Sequence, residues 1–111
     1  MYATEKKITG WHLAIALVGL LLGSLFGPLQ AFEHAGLNLY PALQPLLASY
    51  YQGLTLHGIL NALVWTTFFI TGFLTYNVAT SLGRNLPYPK LSWAAFFVMV
   101  LGLVMAAIPL L

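Results

Sequence analysis

Residues 50–67, YYQGLTLHGILNALVWTT, place one histidine inside a segment that is otherwise apolar enough to cross a membrane. An ionisable side chain at membrane depth is costly and usually faces the protein interior, where it has a partner or a function. His57 therefore either hydrogen-bonds a neighbouring helix or binds a metal through one ring nitrogen. The residues around His57 bear on this choice.

Small residues flank His57 in the sequence. Gly53 lies four residues before it and Gly58 follows it directly. Asn61 lies four residues after it, so in a helix Gly53, His57 and Asn61 share one face. A glycine lets a flat group such as haem, or another backbone, approach closely, although small residues also serve ordinary helix packing in membranes. The pattern suggests a cofactor site without being specific for one.

The composition predicts an all-α integral membrane protein. Hydrophobic residues make up 60% of the chain, charged residues only 5%, and the mean hydropathy is +0.88, whereas about 25% of the residues of a soluble domain are charged. A chain of 111 residues holds three spans of about 20 residues each and leaves no room for a second domain.

Several kinds of function are excluded by residue counts. The net charge of +2 comes from four basic and two acidic residues, which is too few for a nucleic-acid-binding surface. The absence of cysteine excludes disulfides, thiolate metal sites and cysteine nucleophiles. The two acidic side chains, Glu5 and Glu33, lie outside the apolar segments. We therefore expect no catalytic acid or base in this chain.

We predict a single transmembrane unit over residues 1–111. Its three spans cover about residues 10–28, 51–76 and 91–111, with an outer loop at 29–50 and a cytoplasmic loop at 77–90. Pro28 is expected to end the first helix because proline has no amide hydrogen for the helical ladder. Gly83 is expected to stop the second helix, with Pro87 and Pro89 as further breakers, and Pro109 closes the third.

The first span carries a repeat of small residues. Gly19, Gly23 and Gly27 recur every four residues, which is typical of a surface that lets another membrane helix pack closely. The loop that follows, residues 29–49, is polar and rich in proline, and we expect one or two short interfacial turns in it. His34, in this loop, is interpreted as a solvated residue rather than a ligand.

The basic residues predict the orientation. All four fall on one side of the proposed topology, since the outer loop has none: they are Lys6, Lys7, Arg84 and Lys90. The positive-inside rule then places the N-terminus in the cytoplasm and the C-terminus outside. His57 would lie in the outer half of the membrane and His12 at the cytoplasmic surface. These two histidines are therefore too far apart to share a metal.

Three consecutive segments carry a family resemblance. GSLFGPLQA (23–31), YYQGLTLHGILNALVWTTFFITGF (50–73) and SWAAFFVMVLGLVMAAIPLL (92–111) together resemble the first three helices of subunit I of a B-type haem-copper oxygen reductase, in the cytochrome c oxidase family. In that family the histidine of the TLHG motif is an axial ligand of the low-spin haem near the outer face. His57 is the matching residue, and the side assigned from charge agrees with it.

The resemblance implies a haem site. His57 would give Nε2 to the iron of a low-spin haem, b- or a-type, and would donate from Nδ1 to a protein acceptor, as metal-bound histidines commonly do. Gly53, Gly58 and Asn61 would line the haem pocket. The second axial ligand, the copper site and the second haem belong to later helices of subunit I, so this chain would bind none of them.

The resemblance further implies a piece of a larger helical bundle. Subunit I has twelve or more helices, so this chain would be a natural split, a degradation product or the product of a partial gene, and it could not reduce oxygen alone. Its partners would be the remaining helices of subunit I, other oxidase subunits and membrane lipid in a prokaryotic inner membrane. The whole complex would take electrons from cytochrome c or quinol, reduce oxygen to water and pump protons.

Other functions remain open at this point. One alternative is a small electron-transfer protein in which two copies each give His57 to one shared haem. Another is a membrane scaffold or assembly protein that holds no cofactor. Nitric oxide is an alternative substrate of the complete complex, because the metal ligands that distinguish the two reductases would lie beyond this chain.

Overall fold

Helices make up nearly all of the described chain. The computed structural model describes residues 2–43, 47 and 49–110. Its helices are α1 (Ala3–His34), α2 (Tyr40–Leu43), α3 (Tyr50–Gly58), α4 (Trp65–Leu82) and α5 (Pro89–Leu110), and a π-helical segment, Ile59–Val64, joins α3 to α4 without a break. The described residues contain no strand. The all-α prediction is confirmed.

Three helices are long and apolar enough to cross a membrane: Ala3–His34, Tyr50–Leu82 and Pro89–Pro109. The three-helix architecture is therefore as predicted. The second of them has 33 residues and is about 50 Å long at ~1.5 Å per residue, so it must tilt or project from a bilayer core about 30 Å thick. The boundaries 10–28, 51–76 and 91–111 concern the bilayer and stay predictions, and residue 111 lies outside the described residues.

The prediction that Pro28 ends the first helix is wrong. Helix α1 continues through Pro28 to His34, six residues into the predicted outer loop. Proline removes only its own hydrogen bond to the carbonyl four residues earlier, and membrane helices tolerate that loss because the rest of the ladder stays intact. The helix ends instead before Gly36, whose φ of 93° is a left-handed conformation that glycine adopts without strain.

The first connection contains one short helical turn, α2, as predicted, and its place at the membrane interface stays a prediction. Its first residue, Tyr40, donates its amide hydrogen to Asn38 Oδ1 at 3.0 Å. Helix α3 then begins at Tyr50. The preceding residue, Ser49, caps it, because its hydroxyl accepts from the amide of Gln52 at 3.3 Å. Residues 44–46 and 48 of the predicted loop lie outside the described residues.

Gly83 stops the second long helix, as predicted. Its φ is 65°, and the next amide, that of Arg84, bonds back to the carbonyl of Ala79 at 3.1 Å, a common helix ending. The helix therefore runs six residues into the predicted cytoplasmic loop. Pro89 is the first residue of α5 rather than a breaker, since an amide hydrogen is not needed in the first turn.

The tightest packing lies between α1 and the second long helix. The buried cluster at their contact consists of Ala16, Val64 and Phe68, and Phe96 of α5 completes it. Phe96 is the only buried residue among the described side chains of α5, and most other large apolar residues of that helix are exposed. Helix α5 thus presents apolar surface on most of its circumference, which agrees with a position inside a larger helical bundle.

Candidate functional site

His57 lies in the last turn of α3, two residues before the π-helical segment begins. Its ring is half-buried, and Nδ1 lies 2.6 Å from the carbonyl oxygen of Gly23 in α1. A carbonyl oxygen only accepts hydrogen bonds, so Nδ1 carries a proton and donates it to Gly23. In the neutral imidazole this leaves Nε2 with a free lone pair.

The geometry of His57 suits a single iron bond. Nε2 has no hydrogen-bond partner among the described residues, and no three histidine, aspartate or glutamate side chains converge within that part of the chain. Haem iron takes only one protein ligand on each face, so one histidine with a free Nε2 fits it. The predicted donor bond from Nδ1 is present, while ligation through Nε2 stays a prediction.

The glycine repeat of α1 forms the surface against which His57 lies. A Cβ on Gly27 would stand 3.0 Å from Cε1 of His57, and a Cβ on Gly19 would stand 2.9 Å from Cγ1 of Val64. At Gly23 a Cβ would overlap the Asn61 side chain and lie 2.9 Å from Leu60 Cβ. The predicted close helix packing is confirmed, and it brings the Gly23 carbonyl within reach of the imidazole.

The π-helical segment was not foreseen from the sequence. It covers Ile59–Val64, and single π turns inside α-helices are frequent at functional sites. It carries Asn61, whose Nδ2 lies 3.3 Å from Nδ1 of His57. The predicted neighbourhood of His57 and Asn61 on one face is therefore correct. Asn61 Oδ1 is buried and has no partner among the described residues.

The two glycines nearest His57 in sequence have different surroundings. A Cβ on Gly53 would overlap the Tyr40 hydroxyl and stand 3.0 Å from Nε2 of Gln30, so the chain itself fills the space beside Gly53. Tyr40 donates to Gln30 Oε1 at 2.9 Å, which ties α2 to α1. Gly58 is exposed, with no atom within 4 Å of such a Cβ among the described residues. Pocket lining by either glycine stays a prediction.

The side chain of His12 is buried among neighbouring helices. It is only 3% exposed and lies nine residues after the start of α1, while its predicted depth at the cytoplasmic surface of the membrane stays a prediction. Nδ1 lies 2.9 Å from the carbonyl of Ile8, and Nε2 is buried with no partner among the described residues. Phe96 lies edge-on at 4.8 Å and Phe68 at 6.0 Å. His12 is a core histidine.

The burial of His12 depends on a glycine of the second long helix. A Cβ on Gly72 would stand 2.6 Å from Cβ of His12, and Thr9 donates its hydroxyl hydrogen to the Gly72 carbonyl at 2.9 Å. Gly72 was the only signal in the sequence that could have revealed this contact. In the sequence alone, Gly72 looks like any other glycine of a membrane helix, because the sequence does not show which residue of α1 lies opposite it.

The structure also shows the surroundings of two other polar residues, Glu5 and His34. Glu5 is 2% exposed and accepts from the amide of Leu86 at 2.5 Å, so the start of α1 and the second connection lie at the same end of the bundle. Glu5, which lies outside the apolar segments of the sequence, is thus buried in protein. His34 is exposed, as expected, and its Nε2 lies 3.0 Å from the Tyr50 hydroxyl.

Known proteins resemble this chain over nearly its whole length. Residues 7–111 match the family model described as cytochrome c and quinol oxidase polypeptide I. The chain is 44% identical over 110 residues to cytochrome c oxidase subunit 1 of Thermus thermophilus.

The match covers unequal shares of the two proteins. It includes 96% of this chain and 19% of the Thermus subunit, so the chain spans about a fifth of that relative's length. A family model matched by almost every residue, together with identity at this level, settles the relationship. This chain belongs to the cytochrome c and quinol oxidase polypeptide I family.

Proposed function

We propose that this chain is the N-terminal three-helix part of the catalytic subunit of a terminal respiratory oxidase, and that it supplies one axial ligand of the low-spin haem. The observation that carries the proposal is the fixed tautomer of His57. The Gly23 carbonyl, 2.6 Å from Nδ1, holds the ring proton on that nitrogen, so that Nε2 is free to bind iron.

The residues around His57 prepare it for this role. The bond to Gly23 joins α3 to α1 and resists rotation of the ring, so the direction of Nε2 is set by the packing of two helices. Gly27 lets α1 lie within van der Waals distance of the imidazole edge. No described atom lies within 4 Å of a Cβ on Gly58. We propose that Gly58 lines the haem pocket and that Asn61 borders it from the Nδ1 side of His57. Gly53 contributes indirectly, through its contact with Tyr40.

The bound haem, b- or a-type, would supply one-electron transfer through its iron. The chain's own part is to hold that iron from one side, in a region where apolar side chains exclude water. Within the proposed complex, the second axial ligand, the copper centre and the second haem belong to the remaining helices of subunit I. Other oxidase subunits and membrane lipid complete its surroundings.

The activity of the whole complex is part of the same proposal. Electrons would come from cytochrome c or quinol, and oxygen would be reduced to water with proton pumping across a prokaryotic inner membrane. This chain contributes electron transfer and no catalytic residue. Its relationship to cytochrome c oxidase subunit 1 supports oxygen, rather than nitric oxide, as the substrate.

The test is the visible spectrum of a His57→Leu variant in the purified complex. Leucine keeps the helix apolar and helical, so a change can be assigned to the lost nitrogen. We expect the bands of the low-spin haem to disappear or become high-spin. His12→Leu and His34→Leu are the controls and should retain them. A normal low-spin spectrum in the His57 variant, at normal protein yield, would refute the haem-ligand assignment.

A further inference from the structure

The Asn61 amide lies against the same nitrogen of His57 that bonds to Gly23. Asn61 Nδ2 is 3.3 Å from Nδ1, and the Gly23 carbonyl is 2.6 Å from it. The other end of the amide, Oδ1, is buried with no partner among the described residues. Nδ1 therefore has two neighbouring polar groups from two different helices.

The two groups cannot both bond to Nδ1 in this arrangement. Because the proton on Nδ1 is donated to the Gly23 carbonyl, the ring nitrogen has no lone pair in the ring plane to accept from the Asn61 amide. The amide nitrogen then faces another donor, and neither end of the amide has a satisfying partner among the described residues. The nitrogen and oxygen ends of an asparagine amide have nearly the same shape, so either end fits the place beside Nδ1. Turning the Asn61 amide over by half a turn places Oδ1 beside the Nδ1 proton and satisfies that oxygen.

We propose that Asn61 is a positioning residue of the haem ligand, sharing the Nδ1 proton of His57 with the Gly23 carbonyl through its Oδ1. The proposal rests on the assignment of His57 as the ligand. A second acceptor draws the proton further from the ring and makes Nε2 a stronger electron donor, which favours ferric over ferrous iron. Asn61 thereby lowers the reduction potential of the haem that His57 binds.

The local fold explains how Asn61 reaches this position. Asn61 lies inside the π-helical segment, where the extra residue per turn changes the direction of its side chain relative to an α-helix. The place it occupies is open because Gly23 has no side chain, since a Cβ there would overlap the amide. The irregular turn and the glycine together bring a polar side chain to the back of the ligand ring.

The experiment compares the reduction potential of the low-spin haem in Asn61→Leu and Asn61→Asp variants of the complete complex. Leucine removes both ends of the amide and keeps the same branching at Cγ, whereas aspartate keeps only the oxygens. We expect Asn61→Leu to favour ferrous haem by about tenfold in the reduction equilibrium constant, which is about 59 mV for a one-electron couple. Asn61→Asp should retain the original potential or lower it.

A matched control is available on the same long helix. Asn77→Leu removes an amide from α4, well away from His57 in the sequence, and should leave the potential unchanged. A second readout follows the ring directly: in ¹⁵N-labelled protein the Nδ1 resonance of His57 should move in Asn61→Leu and not in Asn77→Leu. A merely structural role of Asn61 would lower the yield without moving either quantity in the complex that assembles.

Each outcome decides the proposal. Equal potentials in Asn61→Leu and Asn77→Leu, with low-spin haem retained, would overturn the role of Asn61 and leave His57 as ligand. A potential in Asn61→Asp that rises like that of Asn61→Leu would mean that the amide nitrogen, not the oxygen, acts on the ring. If Asn61→Leu does not assemble, Asn61→Asp decides alone. A level or lower potential together with a shifted Nδ1 resonance of His57 supports the proposal, whereas a higher potential or an unshifted resonance overturns it. Failure of the haem assignment itself is recognised separately, by a low-spin spectrum that survives His57→Leu.

Discussion

The two histidines within the apolar helices, His57 and His12, have the same bonding pattern and opposite access. Each places Nδ1 next to a backbone carbonyl, at 2.6 Å from Gly23 and 2.9 Å from Ile8 respectively. Each leaves Nε2 without a partner among the described residues. The side chain of His57 is partly exposed, whereas that of His12 is only 3% exposed. Access to Nε2, not the presence of a histidine at membrane depth, separates a candidate ligand from a core residue.

The difference in access arises from what lies opposite each ring. Glycines of α1 lie beside His57, so backbone approaches one side of the ring, and no aromatic ring among the described residues packs against it. Two aromatic rings, Phe68 and Phe96, close over His12. The second difference is the helix that supplies the carbonyl: Gly23 belongs to another helix and fixes His57 in the bundle, whereas Ile8 belongs to His12's own helix.

The largest expected effect comes from filling the contact beside His57. In Gly23→Leu the new side chain would meet Leu60 Cβ and the Asn61 amide, and atoms attached directly to backbone cannot move aside without shifting a helix. We expect a loss of about 3 kcal/mol of stability, read as a fall in the recovery of assembled, haem-containing complex. Gly10→Leu is the control on the same helix, because nothing described lies within 4 Å of a Cβ there. Equal recovery of the two variants would mean that the glycine surface is not a tight contact.

A smaller effect is expected from the contact beside His12. Gly72→Ala places a Cβ 2.6 Å from His12 Cβ and 3.3 Å from the Thr9 carbonyl oxygen, which should destabilise the complex by about 1–2 kcal/mol. Thermal unfolding in detergent measures this change, with Gly102→Ala as control. Alanine at Gly102 meets open space and should stabilise the helix slightly. The low-spin spectrum should stay the same in both, and a changed spectrum in Gly72→Ala would contradict the assignment of His12 as a core residue only.

His12→Phe should stabilise the protein. It removes a buried nitrogen that has no partner among the described residues, whose burial costs about 1 kcal/mol or more, and it extends an aromatic cluster with Phe68 and Phe96. We expect unfolding at a slightly higher temperature and an unchanged haem spectrum. A marked loss of stability would indicate that His12 Nε2 has a polar partner in the complete complex.

Topology labelling assigns each histidine to a side of the membrane. The chain contains no cysteine, so Asn38→Cys and Asn85→Cys each introduce a single thiol at opposite ends of the bundle. We expect Asn38→Cys to react with an impermeant reagent in intact cells and Asn85→Cys to react only after permeabilisation. The opposite result would place His57 near the cytoplasm. The Glu5–Leu86 contact, which joins α1 to the connection containing Arg84, supports the grouping of basic residues on which this prediction depends.

The long-range patterns of the sequence predicted the helices and one helix contact, but they predicted the positions of individual side chains less well. The lengths of the apolar segments predicted three helices. The recurrence of glycine every four residues, at Gly19, Gly23 and Gly27, predicted a close helix contact. The continuation of α1 through Pro28 was missed, because the rule that proline ends helices describes soluble chains better than membrane ones. The π-helical segment has no signature in local propensity. The burial of His12 depends on which face of the second long helix lies opposite, which no local pattern contains.

The most direct test of the central claim restores the missing nitrogen chemically. In a His57→Gly variant of the complete complex the low-spin haem should become high-spin, because the iron loses Nε2. Adding imidazole should return the low-spin spectrum, and ¹⁵N-labelled imidazole should show magnetic coupling to the iron. The His12→Gly variant should keep the low-spin spectrum without added imidazole. A His57→Gly variant that stays low-spin without imidazole would contradict the claim that the accessible Nε2 of His57 is the iron ligand.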